Sequence, residues 1–281
     1  MDGIHNNTKV IKDNTTHIRD EVDLAKHNQL MAWISPSNFL AEQSDIISRR
    51  QEGTGEWFLN APAVMQWLSQ PAGTLFCPGI PGAGKTMIAA IAIDYLLKSV
   101  RNSSVGVAYV YCNYKAQEEQ DTSYLLAAIL KQLIQARPSL VEPVERLNIK
   151  YAGQGSKPSL KEIIEAMQSV LSGFSTVYIV IDALDECRNT DGTRCLLLTN
   201  LRELQAKSDL RLMATSRFIP DIVNDFKDSF KDALTLEVQA SEEDVKRFVA
   251  GQIYRLPKCI QRDTALQDMV YTKIVEAVDG M

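Results

Sequence analysis

Gly79-Ile80-Pro81-Gly82-Ala83-Gly84-Lys85-Thr86 is the stretch on which the reading of this chain turns. It matches the pattern G-x-x-x-x-G-K-[ST] without deviation. A loop of this kind wraps backbone N–H groups around phosphate oxygens, places the lysine at the β- and γ-phosphates and offers the hydroxyl to Mg²⁺. All eight residues, Gly79 to Thr86, are therefore candidate nucleotide-binding residues, and Thr86 is also a candidate Mg²⁺ ligand. The flanks agree. Thr74-Leu75-Phe76-Cys77 reads as a buried strand entering the loop, and Met87-Ile88-Ala89-Ala90-Ile91-Ala92-Ile93 as a helix leaving it. Strand, loop and helix in that order are the context the motif requires.

Outward from this point, short apolar runs alternate with helical patterns. The candidate strands are 74–78, 105–112, 176–181, 210–215 and 233–238. The candidate helices lie near 86–99, 122–136, 159–172, 193–207 and 241–255. Strands that are apolar throughout, rather than at alternate positions, belong to a parallel sheet covered on both faces.

The strand Val177-Tyr178-Ile179-Val180-Ile181 ends in Asp182-Ala183-Leu184-Asp185-Glu186. Five apolar residues followed by Asp place a carboxylate at the carboxyl edge of the sheet, where the second Mg²⁺ contact of a P-loop NTPase sits. Asp182 is the candidate ligand opposite Thr86. Three carboxylates within five residues repel one another unless a cation compensates. Glu186, or Asp185 with it, is the candidate for polarising a water against the γ-phosphate. The competing role for both is a helix N-cap and first-turn acid. The next strand ends in Thr215-Ser216-Arg217, so that Arg217 is the candidate γ-phosphate sensor. No N-K-x-D stretch for reading guanine is present, which favours ATP and leaves GTP open. The fold class expected is α/β, a P-loop NTPase three-layer α-β-α sandwich with a parallel sheet, preceded by N-terminal helices.

The 281 residues carry a net charge of −5, with 45% hydrophobic and 23% charged residues. This balance argues against a nucleic-acid groove, whose surface is usually basic. Five scattered Cys and three His give no zinc spacing. The N-terminus lacks the layout of a signal peptide, and no apolar run approaches the roughly 20 residues of a membrane span. A cytoplasmic protein is expected. The organisation expected is a helical linker over 1–30, a helical connector over 31–72, the NTPase core over 73–240 and C-terminal helices over 241–281. Within the linker, Ile11, Ile18, Val22 and Ala25 fall on one helical face.

Gly79–Thr86, the acidic cluster at Asp182–Glu186 and Thr215-Ser216-Arg217 together resemble the NACHT domain of STAND-type NTPases. Gly53-Thr54-Gly55-Glu56-Trp57-Phe58-Leu59, the P-loop and Ile181–Cys187 resemble the nephrocystin-type NACHT modules of filamentous-fungal NOD-like receptors. The resemblance covers roughly residues 31–281. It implies a nucleotide-controlled switch: closed with ADP, open and able to oligomerise with ATP, reset by slow hydrolysis. It also implies that residues 1–30 are the connector that follows an N-terminal effector domain, and that ligand-sensing repeats come after the NTPase. On this comparison the chain stops early at Met281, as a truncated product or fragment would. Two functions are therefore carried forward, a Mg²⁺-dependent ATP-binding signalling module with slow hydrolysis and a non-hydrolysing binding or oligomerisation scaffold. An AAA-type motor would need an arginine finger in trans and a lid that the sequence does not identify. Trp57 is expected in the core, with stacking on a base as the alternative.

Overall fold

The computed structural model describes residues 21–100, 104–117, 119–151, 153, 155–188, 192–239 and 241–279. Five strands form one parallel sheet: β1 (Thr74–Pro78), β2 (Val105–Tyr111), β3 (Thr176–Asp182), β4 (Leu210–Ser216) and β5 (Leu234–Thr235), in the spatial order β2-β3-β4-β1-β5. The register pairs Thr74 with Leu212, Tyr111 with Asp182 and Ile181 with Ala214. All five residues of β1 and all seven of β4 are buried, as a sheet covered on both faces demands.

Helix positions follow from the direction of travel. The chain leaves β1 through α5 (Lys85–Ser99), crosses to the far edge at β2, and then returns through β3 and β4 to β5. Right-handed crossovers put α5 on one face and the helices of the return journey on the other. Those are α6 (Thr122–Ala136), α7 (Glu142–Tyr151), α8 (Leu160–Leu171), α9 (Thr193–Gln205) and α10 (Pro220–Ser229). The rings of Phe76 on β1 and Phe226 on α10 stack with centroids 4.5 Å apart. The three-layer α-β-α sandwich is as expected.

Before the sheet come α1 (21–34), α2 (Phe39–Ser48), α3 (Glu56–Leu59) and α4 (Pro62–Ser69). Helix α2 covers α5, and Gln43 Nε2 donates to the Ala90 carbonyl at 3.0 Å. Because α5 lies between α2 and the sheet, it is buried around most of its girth, at Ile88, Ala89, Ala90, Ile91, Ala92, Ile93 and Leu96. Helix α1 ends at residue 34, and residues 35–38 lead into α2. Ile11 and Ile18 of the expected amphipathic face lie outside the described residues, while Val22 and Ala25 are exposed. After β5 come α11 (Glu242–Gln252), α12 (Lys258–Gln261) and α13 (Thr264–Asp279).

Several details of the sequence reading are settled differently by the packing. Strand 233–238 is ordered as a ladder only at Leu234–Thr235, although Val238 still donates to the Pro78 carbonyl at 2.7 Å. Within the expected helical connector over 31–72, residues 56–69 form two helices, because Pro62 starts a new one and Asn60 caps the first. Trp57 is half-buried, and the core aromatic at this turn is Phe58, fully enclosed. Asp185 and Glu186 do not cap α9, whose N-cap is Gly192. They lie in a separate single turn of 3₁₀ helix, Leu184–Glu186.

Candidate nucleotide site

The carboxyl ends of β1, β3 and β4 converge on a cavity of about 500 Å³, lined by the P-loop residues Pro81, Gly82, Gly84, Lys85 and Thr86, the acids Asp182, Asp185 and Glu186, and Arg217 among others. Binding at this edge is the rule for open α/β sheets. Gly84 sits at φ +88 with open space beside its Cα, so it is the backbone conformation, left-handed, that requires glycine there. Gly79 is fixed by close approach instead: a Cβ would stand 2.5 Å from the Val238 carbonyl oxygen. Its N–H donates to Ser216 at 3.0 Å, tying the loop to the tip of β4. Lys85 Nζ donates to the carbonyls of Gly79 and Ile80, both at 2.8 Å. Burial pushes its ammonium down, against the pull of Asp185, Asp182 and Glu186.

Asp182 is buried at the end of β3. Its Oδ1 accepts from the Thr215 hydroxyl at 2.6 Å, and the same hydroxyl accepts from the Ala183 N–H at 2.9 Å. Burial pushes the Asp182 carboxyl up. Hydrogen bonds from Thr215 and Thr86 pull it back down, and the charges of Asp185 and Glu186 raise it again. The Thr86 hydroxyl is thus within hydrogen-bond reach of Asp182. The buried Asp182 carboxylate and the Thr86 hydroxyl are two oxygen donors of the kind a hard divalent cation takes, although among the described residues no cluster of three acids is placed to hold a metal ion.

Ala183 adopts a left-handed conformation, φ 55 and ψ 51, unusual for a residue with a side chain. It turns the chain so that Asp185 and Glu186 face the cavity rather than continuing the strand. Both Asp185 oxygens are engaged by Arg217, through its backbone N–H at 3.0 Å and its Nε at 2.5 Å. Glu186 Oε2 accepts from the Tyr114 N–H at 3.1 Å, and Gln117 Nε2 donates to the Glu186 carbonyl at 2.9 Å. Of the twelve residues singled out from the sequence, nine line this cavity, while Gly79, Ile80 and Ala83 belong to the same loop without lining it. Tyr114 and Thr215 were not assigned roles there. Tyr114 follows β2 at the same sheet edge, and a one-turn helix capped by Asn113 holds it there.

A second cavity, about 400 Å³, opens against Gly82, Ala83 and Gly84 and runs between residues 49–57, α5 and α11.

The family model described as "Nephrocystin 3, N-terminal" matches residues 53–217, from the turn before Trp57 to the arginine at the tip of β4. The chain belongs to this family. Vegetative incompatibility protein HET-E-1 of Podospora anserina is 28% identical over 218 residues, 74% of this chain. The chain spans only 16% of that protein's length. Together these matches make it a NACHT-type module of the P-loop NTPase class. Solved structures with a related overall shape include the Orc1 protein of Aeropyrum pernix in complex with DNA (TM-score 0.47, 16% identity, 73% of this chain and 50% of that one). Domain III of the Thermotoga maritima replication initiation protein DnaA has a TM-score of 0.44 at 15% identity, covering 76% of this chain and 77% of that one. Among the described residues no helix is long and apolar enough to cross a membrane.

Proposed function

We propose that this NACHT-type module binds ATP with Mg²⁺ and works as the nucleotide-reading part of a signalling switch, with slow hydrolysis. The observation that carries the proposal is the gathering of Lys85, Thr86, Asp182, Glu186 and Arg217 around one cavity, although they lie at or beyond the ends of three strands far apart in sequence. The P-loop N–H groups and Lys85 hold the phosphates. Thr86 and Asp182 would hold Mg²⁺, which would supply positive charge to offset that of the phosphates. Arg217 contacts the γ-phosphate, and Glu186 orients and deprotonates a water. A γ-phosphate that Lys85 and Arg217 grip and that ADP lacks gives the two nucleotides different affinities for two conformations, the physical basis of a switch. The membership of HET-E-1 among incompatibility proteins is in keeping with a signalling role.

Calorimetric titration with Mg·ATP tests the phosphate grip. Lys85→Ala should weaken binding at least about 100-fold, the value of two charge-assisted hydrogen bonds. Binding at the wild-type level would remove Lys85 from the site. A second reading, a nucleotide-binding scaffold without hydrolysis, is favoured by the engagement of Asp185 with Arg217 and of Glu186 with Tyr114. Measurable phosphate release by the wild type, abolished in Glu186→Gln, decides against it.

A further inference from the structure

Beside the phosphate cavity the fold brings two cysteines together that the chemistry described so far does not use. Cys112 and Cys187 are both buried, and neither is in a disulfide. Their thiols hydrogen-bond to each other. The backbone explains the meeting. Cys112 directly follows β2, and its N–H donates to the Asp182 carbonyl at 3.1 Å, so the β2–β3 ladder runs one residue further. Beyond Asp182, the left-handed Ala183 and the 3₁₀ turn Leu184–Glu186 fold the chain back, with the Cys187 N–H on the Leu184 carbonyl at 3.2 Å. Each cysteine thus borders one of two turns: Tyr114–Ala116 follows Cys112, and the acidic turn precedes Cys187. The turns meet at Glu186, through the Tyr114 N–H on its carboxylate at 3.1 Å and Gln117 Nε2 on its carbonyl at 2.9 Å. Two thiols in contact can be joined by oxidation with little backbone movement, which a lone thiol cannot. The competing role is a pair of small core residues with no chemistry.

We propose that Cys112 and Cys187 are a reversible disulfide site, oxidised by a hydroperoxide, and that the bond locks the 113–117 turn onto Glu186. One cysteine, as thiolate, attacks the O–O bond. Its sulfur keeps one oxygen as a sulfenic acid, and the other oxygen leaves as water or an alcohol. The second thiol attacks that sulfur, the S–S bond forms, and the sulfenic oxygen departs as water with the thiol proton. Two electrons pass from the sulfurs to the O–O bond, which completes the balance. Burial and the mutual hydrogen bond keep the Cys112 thiol protonated in the closed arrangement. The reaction therefore proceeds from molecules in which the 113–117 turn has opened, and the disulfide removes that opening. The site itself needs nothing from the nucleotide reading, whereas its consequence for hydrolysis rests on that reading. With the turns joined, Glu186 stays on the Tyr114 N–H and is kept from turning to a water, so the oxidised protein binds Mg·ATP without releasing phosphate.

The test treats the whole chain with hydrogen peroxide at a dose that oxidises the exposed Cys195 and Cys259, then maps its peptides by mass with and without dithiothreitol. A peptide joining Cys112 to Cys187, lighter by two hydrogens and cleaved by dithiothreitol, is expected. Hydrogen exchange over 113–117 should slow at least about tenfold in the oxidised protein, the lower end of what one cross-link contributes. Phosphate release should be lost on oxidation and return with dithiothreitol, while calorimetric affinity for Mg·ATP stays. Cys112→Ala and Cys187→Ala should each keep binding and release and make both indifferent to peroxide, and either variant serves if the other fails to fold. Oxidation of Cys195 and Cys259 with no linked peptide would overturn the site and leave the pair as core packing. A linked peptide with unchanged exchange over 113–117 would overturn the lock. A linked peptide and slowed exchange in a protein that releases no phosphate even when reduced would uphold the disulfide site and sink the hydrolysis reading instead.

Discussion

The Arg217 guanidinium and the Asp185 carboxylate are joined at 2.5 Å, with a second bond from the Arg217 backbone N–H at 3.0 Å. The carboxylate is 3% exposed and the guanidinium 48%. The buried partner is thus fixed and the exposed one can turn. Asp185 ties the tip of β4 to the 3₁₀ turn that carries Glu186. On this geometry Asp185 is better placed to aim Arg217 than to activate water.

If so, Arg217→Ala and Asp185→Ala should each erase the preference for ATP over ADP. The loss should be about tenfold, the value of one charge-assisted contact at a half-exposed site. The double variant should be no worse than either single one, since the two side chains act as a unit. Titration of ATP and ADP into the three variants checks this. Additive losses would mean that Asp185 has a role of its own.

Glu186→Gln should keep ATP affinity within about threefold and lower phosphate release by about 100-fold, the usual contribution of a general base. The amide oxygen can still accept from the Tyr114 N–H, so the fold of the turn should survive. Unchanged release in a single-turnover assay would exclude Glu186 as the base.

The two glycines should fail for different reasons. Gly84→Ala is a conformational penalty alone, about 1–2 kcal/mol. Gly79→Ala should cost more, because the Val238 backbone must retreat from a Cβ at 2.5 Å and the Val238 N–H bond to Pro78 moves with it. Denaturant unfolding ranks them, and the reverse order would contradict the packing of the loop against Val238.

At the opposite edge of the sheet, Asp209 accepts from the Ala72 N–H at 2.7 Å, the Thr176 hydroxyl at 2.9 Å and Arg211 at 2.9 Å. Burial pushes its carboxyl up, but these donors hold it below the usual range, Arg211 most of all. A folded-state pKa below the unfolded one contributes stability that is fully present above the unfolded value, near 4. That stability is lost as pH falls through the lower, folded value. Wild-type stability should therefore drop on acidification below about pH 4, and Asp209→Asn should flatten that limb. Asp209→Ala should cost about 2–4 kcal/mol at neutral pH, because Arg211 is left buried without its partner. Urea unfolding at pH 3 and pH 7 measures both effects.

Much of the sheet was legible in the sequence because parallel strands buried on both faces announce themselves as apolar runs. Strand 74–78 coincides with β1, and the helix at 122–136 coincides with α6. The P-loop and the acidic cluster were legible because their chemistry is local. Helices α7 and α10 were not singled out. Glu142–Tyr151 buries only Val144 and Pro220–Ser229 only Ile222 and Phe226, so neither carries a long apolar stripe. Trp57 was misplaced because an aromatic pair, Trp57-Phe58, offers two candidates for one core position, and only the surrounding packing decides between them. The contact of the Asp244 carboxylate with Trp57 Nε1 and the Gly55 N–H was invisible for a plainer reason, since it joins residues 187 and 189 positions apart.

The Gly82-Ala83-Gly84 turn is a party wall between two rooms. A substitution there that reshapes one room necessarily reshapes the other. The shapes of the two cavities therefore cannot drift independently at Gly82 and Gly84, which line both. A change meant to reshape the second cavity alone would have to be made at its Trp57 and α11 walls, which the first cavity does not share.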